Sequence, residues 1–308
     1  MDLSQRIIRT SIDWSGSGLT LADFLAGRFT YRSKAEWCGR ITSGEITLNG
    51  KMVPPETILA LHDQIEYRPV DIVEPPADLD YRIVFEDEKI MVIDKPGNLC
   101  MHPAGPFFKH TLWHLLCSKY GNIHFVNRLD RETSGLLLAA KDAKSAKAMA
   151  KNITGKSYLV IVHGEFPEEL TAEGFLQDAK SVIRKKRRFV ETMPDSPPFE
   201  SAKTVFHKIS SANGLSLVKA TLFTGRMHQI RATVNSLGFP VTGDKLYGVD
   251  EKFYLKQRSD ELTESDREKL LISRQALHSC QLSFIHPASK EELTFDSPLP
   301  YELQQLIK

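Results

Sequence analysis

Residues 128–135 read Arg-Leu-Asp-Arg-Glu-Thr-Ser-Gly, and this octapeptide carries more information than any other part of the chain. It places one carboxylate, that of Asp130, between two guanidinium groups. An apolar segment, 123–126, precedes the octapeptide and a second one, 136–140, follows it. The pattern predicts two short strands joined by a polar loop, where proteins often display residues that carry chemistry. An ordinary solvated turn with a surface ion pair is the alternative that these residues alone leave open.

The composition is that of an ordinary globular protein. The chain has 308 residues, of which 41% are hydrophobic and 26% are charged, and this length favours two domains. A net charge of +1 gives no global argument for nucleic-acid binding, so such an argument must come from local clusters. No apolar run approaches the roughly 18 residues that span a bilayer, and the first residues lack the apolar core of a signal peptide. We therefore expect a cytoplasmic protein that does not bind membranes.

The cysteines give no indication of a metal site. Cys38, Cys100, Cys117 and Cys280 are widely spaced, without a Cys-x-x-Cys pair or a paired-histidine spacing that would hold zinc. We expect them to be reduced and buried as small hydrophobic residues.

The segment from residue 8 to 68 predicts a small domain of its own. Helices are expected over 19–25 and 32–41, with Gly44 ending the second, and an Asn-Gly turn predicts a hairpin over 45–53. This order is similar to the S4-type RNA-binding module. The resemblance implies phosphate contacts from four cations, which are Arg32, Lys34, Arg40 and Lys51. A helical surface with solvated charges is the alternative.

The rest of the chain predicts a larger domain of strands and a few helices. A proline-rich linker over 69–79 leads into a domain over 80–308. Its first pattern is a hairpin over 81–94, and helices are expected over 142–151 and 225–237. A dense basic run follows the middle of this domain and predicts a loop or hairpin that binds RNA, although a solvated hairpin tip remains the alternative. The run consists of Arg184, Lys185, Lys186, Arg187 and Arg188.

Several segments of this larger domain resemble the RluA family of RNA pseudouridine synthases. The octapeptide is similar to the family's nucleophile motif, except that Asn127 precedes it where the family usually has His. Three more segments match in the same order, namely Lys-Pro-Gly with Met-His-Pro within 94–103, Lys-Ser-Tyr in 156–164, and Gly-Arg-Met-His-Gln-Ile-Arg in 225–231. The last has Met227 in place of the usual Thr, yet it favours the RluA branch over the RsuA branch. Segments 237–248 and 277–287 extend the match over most of residues 80–300.

The resemblance implies both a fold and a reaction. The fold class would be α+β, with a small N-terminal S4-like α/β module followed by a catalytic domain that has a mixed, mainly antiparallel central sheet flanked by helices and loops. The reaction would isomerise uridine to pseudouridine in structured RNA, with large-subunit ribosomal RNA as the first expectation and transfer RNA as the second. RNA is the expected partner, no cofactor or metal is required, and we expect a monomer.

The resemblance also assigns residues to the reaction. Asp130 would be the nucleophile or the base, Tyr158 would stack on the uracil, and Arg231 would keep Asp130 ionised. Leu277 would form an apolar pocket wall. Four further residues are expected to brace the catalytic loop, shape the pocket or contact phosphate, and these are Arg128, Arg131, Arg226 and His228, the last two on the helix over 225–237.

Two other classes of function remain open from the sequence. An inactive RNA-binding or assembly protein could keep this fold, and Asn127 is its best support. A hydrolase that cleaves the glycosidic bond without rejoining it would need a second carboxylate for water, and Glu132 is the nearest one along the chain.

Overall fold

The computed structural model divides into two compact units, Met1–Pro75 and Pro76–Lys308. The boundary between them falls inside the segment 69–79 that the sequence predicts as a linker. The structure describes residues 6–29, 32–70, 73–181, 183, 186–259 and 261–308.

The first unit is a three-stranded sheet with two helices. Its elements are β1 (Ile8–Ser11), α1 (Leu21–Arg28), α2 (Lys34–Thr42), β2 (Ile46–Leu48) and β3 (Gln64–Tyr67). The sheet order is β1-β3-β2, and both pairings are antiparallel. Each helix begins at a hydroxyl cap, Thr20 for α1 and Ser33 for α2, and the Trp37 side chain is completely buried in the core that they cover. Both predicted helices are confirmed, with their starts shifted by about one half-turn toward the C-terminus.

The predicted hairpin over 45–53 is wrong in its second half. β2 ends at Leu48, and the Asn-Gly turn that follows adopts positive φ angles of 51° and 77°. Lys51 then makes a single bridge back to Leu48, and the true partner of β2 is β3. The returning segment runs into Pro54 and Pro55, which have no N–H to donate to a strand ladder.

The second unit is built around one large sheet. Its elements are β4 (Arg82–Glu86), β5 (Ile90–Lys95), α3 (Leu112–Tyr120), β6 (His124–Phe125), β7 (Ser134–Ala140), α4 (Ala143–Met149), β8 (Ile153–His163), β9 (Glu169–Asp178), β10 (Arg187–Val190), β11 (Phe199–Ala212), β12 (Leu215–Leu222), α5 (Gln229–Ser236), α6 (Lys252–Arg258), α7 (Glu264–Leu270), β13 (Leu277–Ile285), β14 (Glu292–Asp296), α8 (Tyr301–Gln304) and a 3₁₀ turn (Gln305–Ile307).

The sheet of the second unit has eleven strands. Nine follow the order β10-β9-β11-β12-β8-β13-β7-β5-β4, while β14 pairs with β13 and β6 with β7. β7 and β13 run parallel, and the other recorded pairings are antiparallel. The predicted strand-loop-strand around the octapeptide is confirmed as β6 and β7, the predicted hairpin as β4 and β5, and the predicted helix over 142–151 as α4. The α+β expectation is therefore confirmed.

Apolar side chains cover the sheet at its centre. Strands β5, β7 and β13 contribute a buried cluster with α4 that includes Val92, Leu138 and Phe284. Three of the cysteines, at 100, 117 and 280, are buried and Cys38 is half-buried, as expected for small hydrophobic side chains. None of the helices in the described part of the chain is long and apolar enough to cross a membrane.

The predicted helix over 225–237 begins four residues late. α5 starts at Gln229, because His228 before it has a left-handed backbone, φ 56° and ψ 21°, that no helix contains. The side-chain oxygen of Gln229 accepts hydrogen bonds from the amide of Arg226 and the hydroxyl of Thr224, which hold the preceding turn. Arg226 and His228 therefore lie in the turn before the helix, contrary to the prediction.

Gly135 fixes where β7 and β13 meet. Its φ is +106°, a backbone conformation that side-chain-bearing residues rarely adopt. A Cβ at this position would also clash with the main-chain carbonyl of Ser279, which is its register partner on β13. The last residue of the octapeptide is thus a glycine because a neighbouring backbone approaches it directly.

Gly135→Ala should destabilise the second unit by roughly 3 kcal/mol or more, because it adds a backbone clash to the cost of the left-handed conformation. The measurement is urea unfolding. Gly214→Ala is the matched control, since Gly214 has φ +73° and open space around its Cβ position. That variant should lose only about 1–2 kcal/mol, and equal losses in the two variants would contradict the close approach.

Candidate active site

The catalytic candidate Asp130 makes an ion pair with Arg231 across 101 residues of sequence. Nη1 of Arg231 donates to Oδ2 of Asp130 at 2.6 Å. The arginine side chain is 9% exposed and that of Asp130 is 34% exposed, so the carboxylate is the member of the pair that a substrate can reach. Burial raises the pKa of Asp130, but the neighbouring positive charge, that of Arg231 first, outweighs burial and brings that pKa below its ordinary value. Asp130 is therefore a carboxylate at neutral pH.

A second carboxylate, Asp244, holds the other side of the same arginine. Nε of Arg231 donates to Oδ2 of Asp244 at 2.6 Å, and Nη2 donates to Oδ1 at 2.9 Å, which is the bidentate geometry that a guanidinium prefers. Asp244 is completely buried and also accepts the amides of Leu246 and Tyr247, each at 2.9 Å. The sequence analysis quoted this segment, 237–248, but gave Asp244 no role.

The catalytic loop is anchored through its own glutamate. Nζ of Lys245 donates to both carboxylate oxygens of Glu132, at 3.1 and 3.0 Å, and the amide of Gln275 donates to one of them at 3.1 Å. Arg274 donates to the main-chain oxygen of Glu132 at 3.1 Å, and Gln275 donates to the hydroxyl of Thr133. Glu132 is thus engaged in holding the loop, which argues against its use as a base that activates water.

A fully buried lysine supports the loop from behind. Nζ of Lys95 donates to three main-chain oxygens, those of Pro96 at 2.7 Å, Leu99 at 3.0 Å and Arg131 at 3.0 Å. Burial lowers the pKa of Lys95 to about 7. The three carbonyl acceptors act in the opposite direction, because they match the three N–H donors of the charged ammonium. Lys95 also borders a cavity of about 340 Å³, whose lining includes Ser134 and Arg274 but not Asp130.

Tyr158 reaches the site through strand register. It lies opposite Ser279 on β13, and Ser279 in turn lies opposite Gly135 on β7. Side chains two residues apart share a face of a strand, so Leu277 lies on the same face of the sheet as Tyr158. Both residues are buried, and burial, with a smaller contribution from Asp130, raises the pKa of Tyr158 to about 12. Tyr158 is therefore a neutral phenol at physiological pH.

The two residues predicted with Arg231 on one helix separate in the structure. His228 turns toward the site, with Nε2 3.8 Å from Oδ1 of Asp130 and Nδ1 3.0 Å from the hydroxyl of Tyr247. Arg226 turns away, donating from Nε to the main-chain oxygen of Ser201 at 3.1 Å. Arg226 contacts β11, and the structure brings His228 but not Arg226 to Asp130.

The residues near Asp130 differ in their surroundings: one is exposed to solvent and two contact the protein. Arg128 is exposed, whereas Arg131 pairs with Glu132 at 3.1 Å and lies 5.5 Å from the ring centre of Phe107. Oδ1 of Asn127 accepts the amide of Leu138 on β7 at 2.8 Å, so it replaces a main-chain acceptor at the base of the loop. The departure at this position therefore changes how the loop is supported and leaves the Asp130–Arg231 pair in place.

The basic run is only partly available to a polyanion. Arg184 and Lys185 lie outside the described residues. Lys186 pairs with Glu251, and Arg187 donates to Glu200 at 3.0 Å and to the oxygen of Leu176 at 2.9 Å. Of the three described cations, Arg188 is the exposed one. Arg187 and Arg188 begin β10, which pairs with β9, and the contact of the run with RNA stays a prediction.

The four basic residues predicted to contact phosphate in the first unit also differ in how exposed their side chains are. Lys34 pairs with Asp23 at 2.6 Å, with the two side chains 56% and 47% exposed, and Lys51 is exposed in the turn after β2. Arg40 pairs with Glu45 where both side chains are largely buried, and Arg32 lies 3.7 Å from Glu36. Exposed pairs exchange partners at little cost, so Lys34 and Lys51 are the better placed for phosphate.

Comparison with known proteins agrees with the resemblance seen in the sequence. A family model described as RNA pseudouridylate synthase matches residues 89–236. The ribosomal large subunit pseudouridine synthase D of Zymomonas mobilis is 32% identical over 247 residues, which cover 76% of this chain and 74% of that protein. The mitochondrial tRNA pseudouridine(32) synthase of Saccharomyces cerevisiae is 32% identical over 246 residues, 75% of this chain and 51% of that protein. Human RNA pseudouridylate synthase domain containing 1 has the same fold, with a TM-score of 0.56 at 22% identity over 74% of this chain and 87% of that one.

The chain belongs to the RNA pseudouridine synthase family, in its RluA-type branch. It is an isomerase that converts uridine to pseudouridine in RNA, which confirms the expectation from the sequence. The reaction breaks the bond between uracil N1 and the ribose, turns the base and joins C5 to the ribose, while C5 loses a proton and N1 gains one. No electron is transferred in this reaction. Cleavage of the bond and rotation of the base require an ionised carboxylate, a closed pocket and a way to hold the free base.

Asp244→Asn should cost about 3–5 kcal/mol of stability and lower turnover, because it leaves the buried guanidinium of Arg231 without its bidentate partner. Thermal or urea unfolding and single-turnover assays measure the two effects. The control is Glu173→Gln, which breaks an exposed pair with Lys203 at 2.7 Å and should cost less than about 1 kcal/mol. Indistinguishable stabilities for the two variants would show that Asp244 does not support Arg231.

Proposed function

We propose that Asp130 is the reacting carboxylate of this pseudouridine synthase. The observation that carries the proposal is its ion pair with Arg231, because that pair keeps a partly accessible carboxylate charged at the edge of a buried polar cluster. Whether the carboxylate attacks the ribose carbon or removes a ribose proton, it must be ionised when the uridine arrives. The lowered pKa of Asp130 supports both steps.

Tyr158 and Leu277 form the proposed wall of the uracil pocket. They share a face of the sheet beside the glycine that ends the catalytic loop. A phenol ring can stack on the uracil while it turns, since stacking on an aromatic face is worth roughly 1–3 kcal/mol per base and does not depend on the orientation of the base in its plane. The raised pKa of Tyr158 keeps the ring uncharged beside Asp130.

Large-subunit ribosomal RNA is the substrate that we propose first. The relative from Zymomonas mobilis, named for the ribosomal large subunit, matches about three quarters of both chains, whereas the match to the yeast tRNA enzyme leaves about half of that protein uncovered. A uridine in an unpaired loop or bulge is favoured, because extraction of a stacked base costs a few kcal/mol. Transfer RNA is the second candidate, on the strength of the yeast relative.

The first unit is proposed to act as an S4-like RNA-binding module. Two helices and a small sheet with exposed cations on α2 and in the turn after β2 support this function. The exposed cations would bind the phosphate backbone and leave the choice of uridine to the second unit.

Asp130→Asn should lower pseudouridine formation by roughly four orders of magnitude or more while leaving RNA affinity close to that of the wild type. Product formation and filter binding on the same RNA measure the two quantities. Asp195→Asn, at an exposed position in the loop after β10, is the control and should retain full turnover. Wild-type turnover in Asp130→Asn would overturn the assignment. Mapping pseudouridine across total RNA from cells without the protein then identifies the substrate, and an unchanged ribosomal RNA would move the target to transfer RNA.

Lys34→Ala with Lys51→Ala should reduce the slope of log affinity against log salt by about 0.7–0.9 for each cation removed. RNA binding at several salt concentrations gives the slope. Arg9→Ala removes an exposed cation from β1 in the same unit and should leave the slope unchanged. The same slope in the double variant and in the wild type would exclude this surface from RNA binding.

A further inference from the structure

Tyr247 is a completely buried tyrosine whose hydroxyl contacts two parts of the second unit. The amide of Arg187, at the start of β10, donates to its oxygen at 2.8 Å, and Nδ1 of His228 lies 3.0 Å away. Because an amide can only donate, the phenol oxygen accepts there and its own proton is available for the imidazole. Burial raises the pKa of Tyr247 to about 12, so this proton is present at neutral pH.

His228 presents its other nitrogen to Asp130. Nε2 lies 3.8 Å from Oδ1, which is too long for a hydrogen bond but close enough for the carboxylate charge to act on the ring. The charged groups around the ring are Arg231 from α5, Asp130 from the catalytic loop, Asp244 from the segment after α5, and Arg187 from β10. Burial, followed by Arg231, holds the pKa of His228 below its ordinary value against the two carboxylates, so the ring is neutral and carries one proton.

We propose that Tyr247 is a positioning residue that fixes His228 as a neutral imidazole with its proton on Nε2, facing Asp130. Two contacts favour this tautomer, and the one with Tyr247 decides it, because it is a hydrogen bond at 3.0 Å whereas Asp130 at 3.8 Å is too far away for one. The Tyr247 hydroxyl can donate to Nδ1 only if that nitrogen is unprotonated. The Asp130 carboxylate, on the other side of the ring, favours a proton on Nε2 over a lone pair.

The fixed tautomer gives the site a neutral hydrogen-bond donor beside the reacting carboxylate. A charged imidazolium would add a second cation to Asp130 and compete with Arg231 for its negative charge. With a neutral imidazole, Arg231 is the one cation that pairs with Asp130. The N–H on Nε2 of His228 is too far from Asp130 for a hydrogen bond, so it can donate to a ribose or phosphate oxygen of the bound nucleotide. This function of His228 rests on the proposed role of Asp130, whereas the tautomer itself does not.

The tautomer can be read directly from the nitrogen spectrum of the protein. Full-length protein labelled with ¹⁵N-histidine is compared with His228→Gln, which identifies the His228 resonances among those of the ten histidines. The two-bond proton–nitrogen pattern at neutral pH should show a protonated Nε2 and an unprotonated Nδ1. A proton on Nδ1, or on both nitrogens, overturns the proposal.

Tyr247→Phe removes the hydroxyl and keeps the ring that lies 5.0 Å from the Arg231 guanidinium. The nitrogen spectrum should then show both tautomers of His228, and kcat should fall several-fold with little change in KM for RNA. The control is Tyr120→Phe, which removes an exposed hydroxyl hydrogen-bonded to Glu86 at 3.2 Å and should change neither quantity. An unchanged His228 spectrum in Tyr247→Phe excludes the positioning role. Because the spectrum does not depend on turnover, failure of the Asp130 assignment would leave it intact and would appear only in the activity of Asp130→Asn.

Discussion

One guanidinium shared by two carboxylates is the constraint on which the site depends. Arg231 gives one donor to Asp130 and two to Asp244, so the planar geometry of the arginine fixes both acids relative to each other. The two carboxylates differ in what else they contact. Asp244 is completely buried and also binds main-chain amides, whereas Asp130 keeps part of its surface exposed. The cluster has one more negative charge than positive, and that charge is accessible only at Asp130. Two aspartates on one arginine therefore differ in environment: Asp244 supports Arg231 from a buried position, and Asp130 is the one that a substrate can reach.

The loop that carries Asp130 is held both through its main-chain oxygens and through the side chain of Glu132. Lys95 and Arg274 donate to main-chain oxygens at Arg131 and Glu132, and Lys245 binds the Glu132 side chain. Buried cations normally need carboxylate partners, and Arg274 has one in Glu302 at 2.6 Å, whereas three carbonyl oxygens accept from Lys95. The side chain of Asp130 contacts Arg231 and Gln275 and remains about one third exposed. The uracil must turn within its pocket during the reaction. The proposed role of Asp130 therefore requires a rigid backbone that holds its carboxylate in place.

Much of the catalytic half could be predicted from the sequence, because its local patterns agree with its fold. The strands around residues 128–135 and the pairing of Asp130 with Arg231 followed from periodicity and from the family motif. The start of α5 did not, since nothing in the sequence before Gln229 indicates the left-handed backbone at His228. Asp244 carried a signal in its Gly-Asp-Lys-Leu-Tyr-Gly segment, but its partner could be recognised only once the fold had brought α5 beside it. Arg274 and Gln275 precede a strand without any motif of their own, and their contacts with the loop depend wholly on tertiary structure.

The contacts that complete the catalytic loop join residues far apart along the chain. Glu132 contacts Lys245 at a separation of 113 residues and Gln275 at 143, and the parallel pairing of β7 with β13 closes a comparable span. Each closure lowers chain entropy before its contacts form, and such non-local pairings are late events in folding. A chain still emerging from the ribosome, with β13 not yet synthesised, can form the β4–β5 hairpin and β7 but not the frame around Asp130. The proposed reacting carboxylate is consequently held in its final geometry only after β13 has been synthesised and has paired with β7.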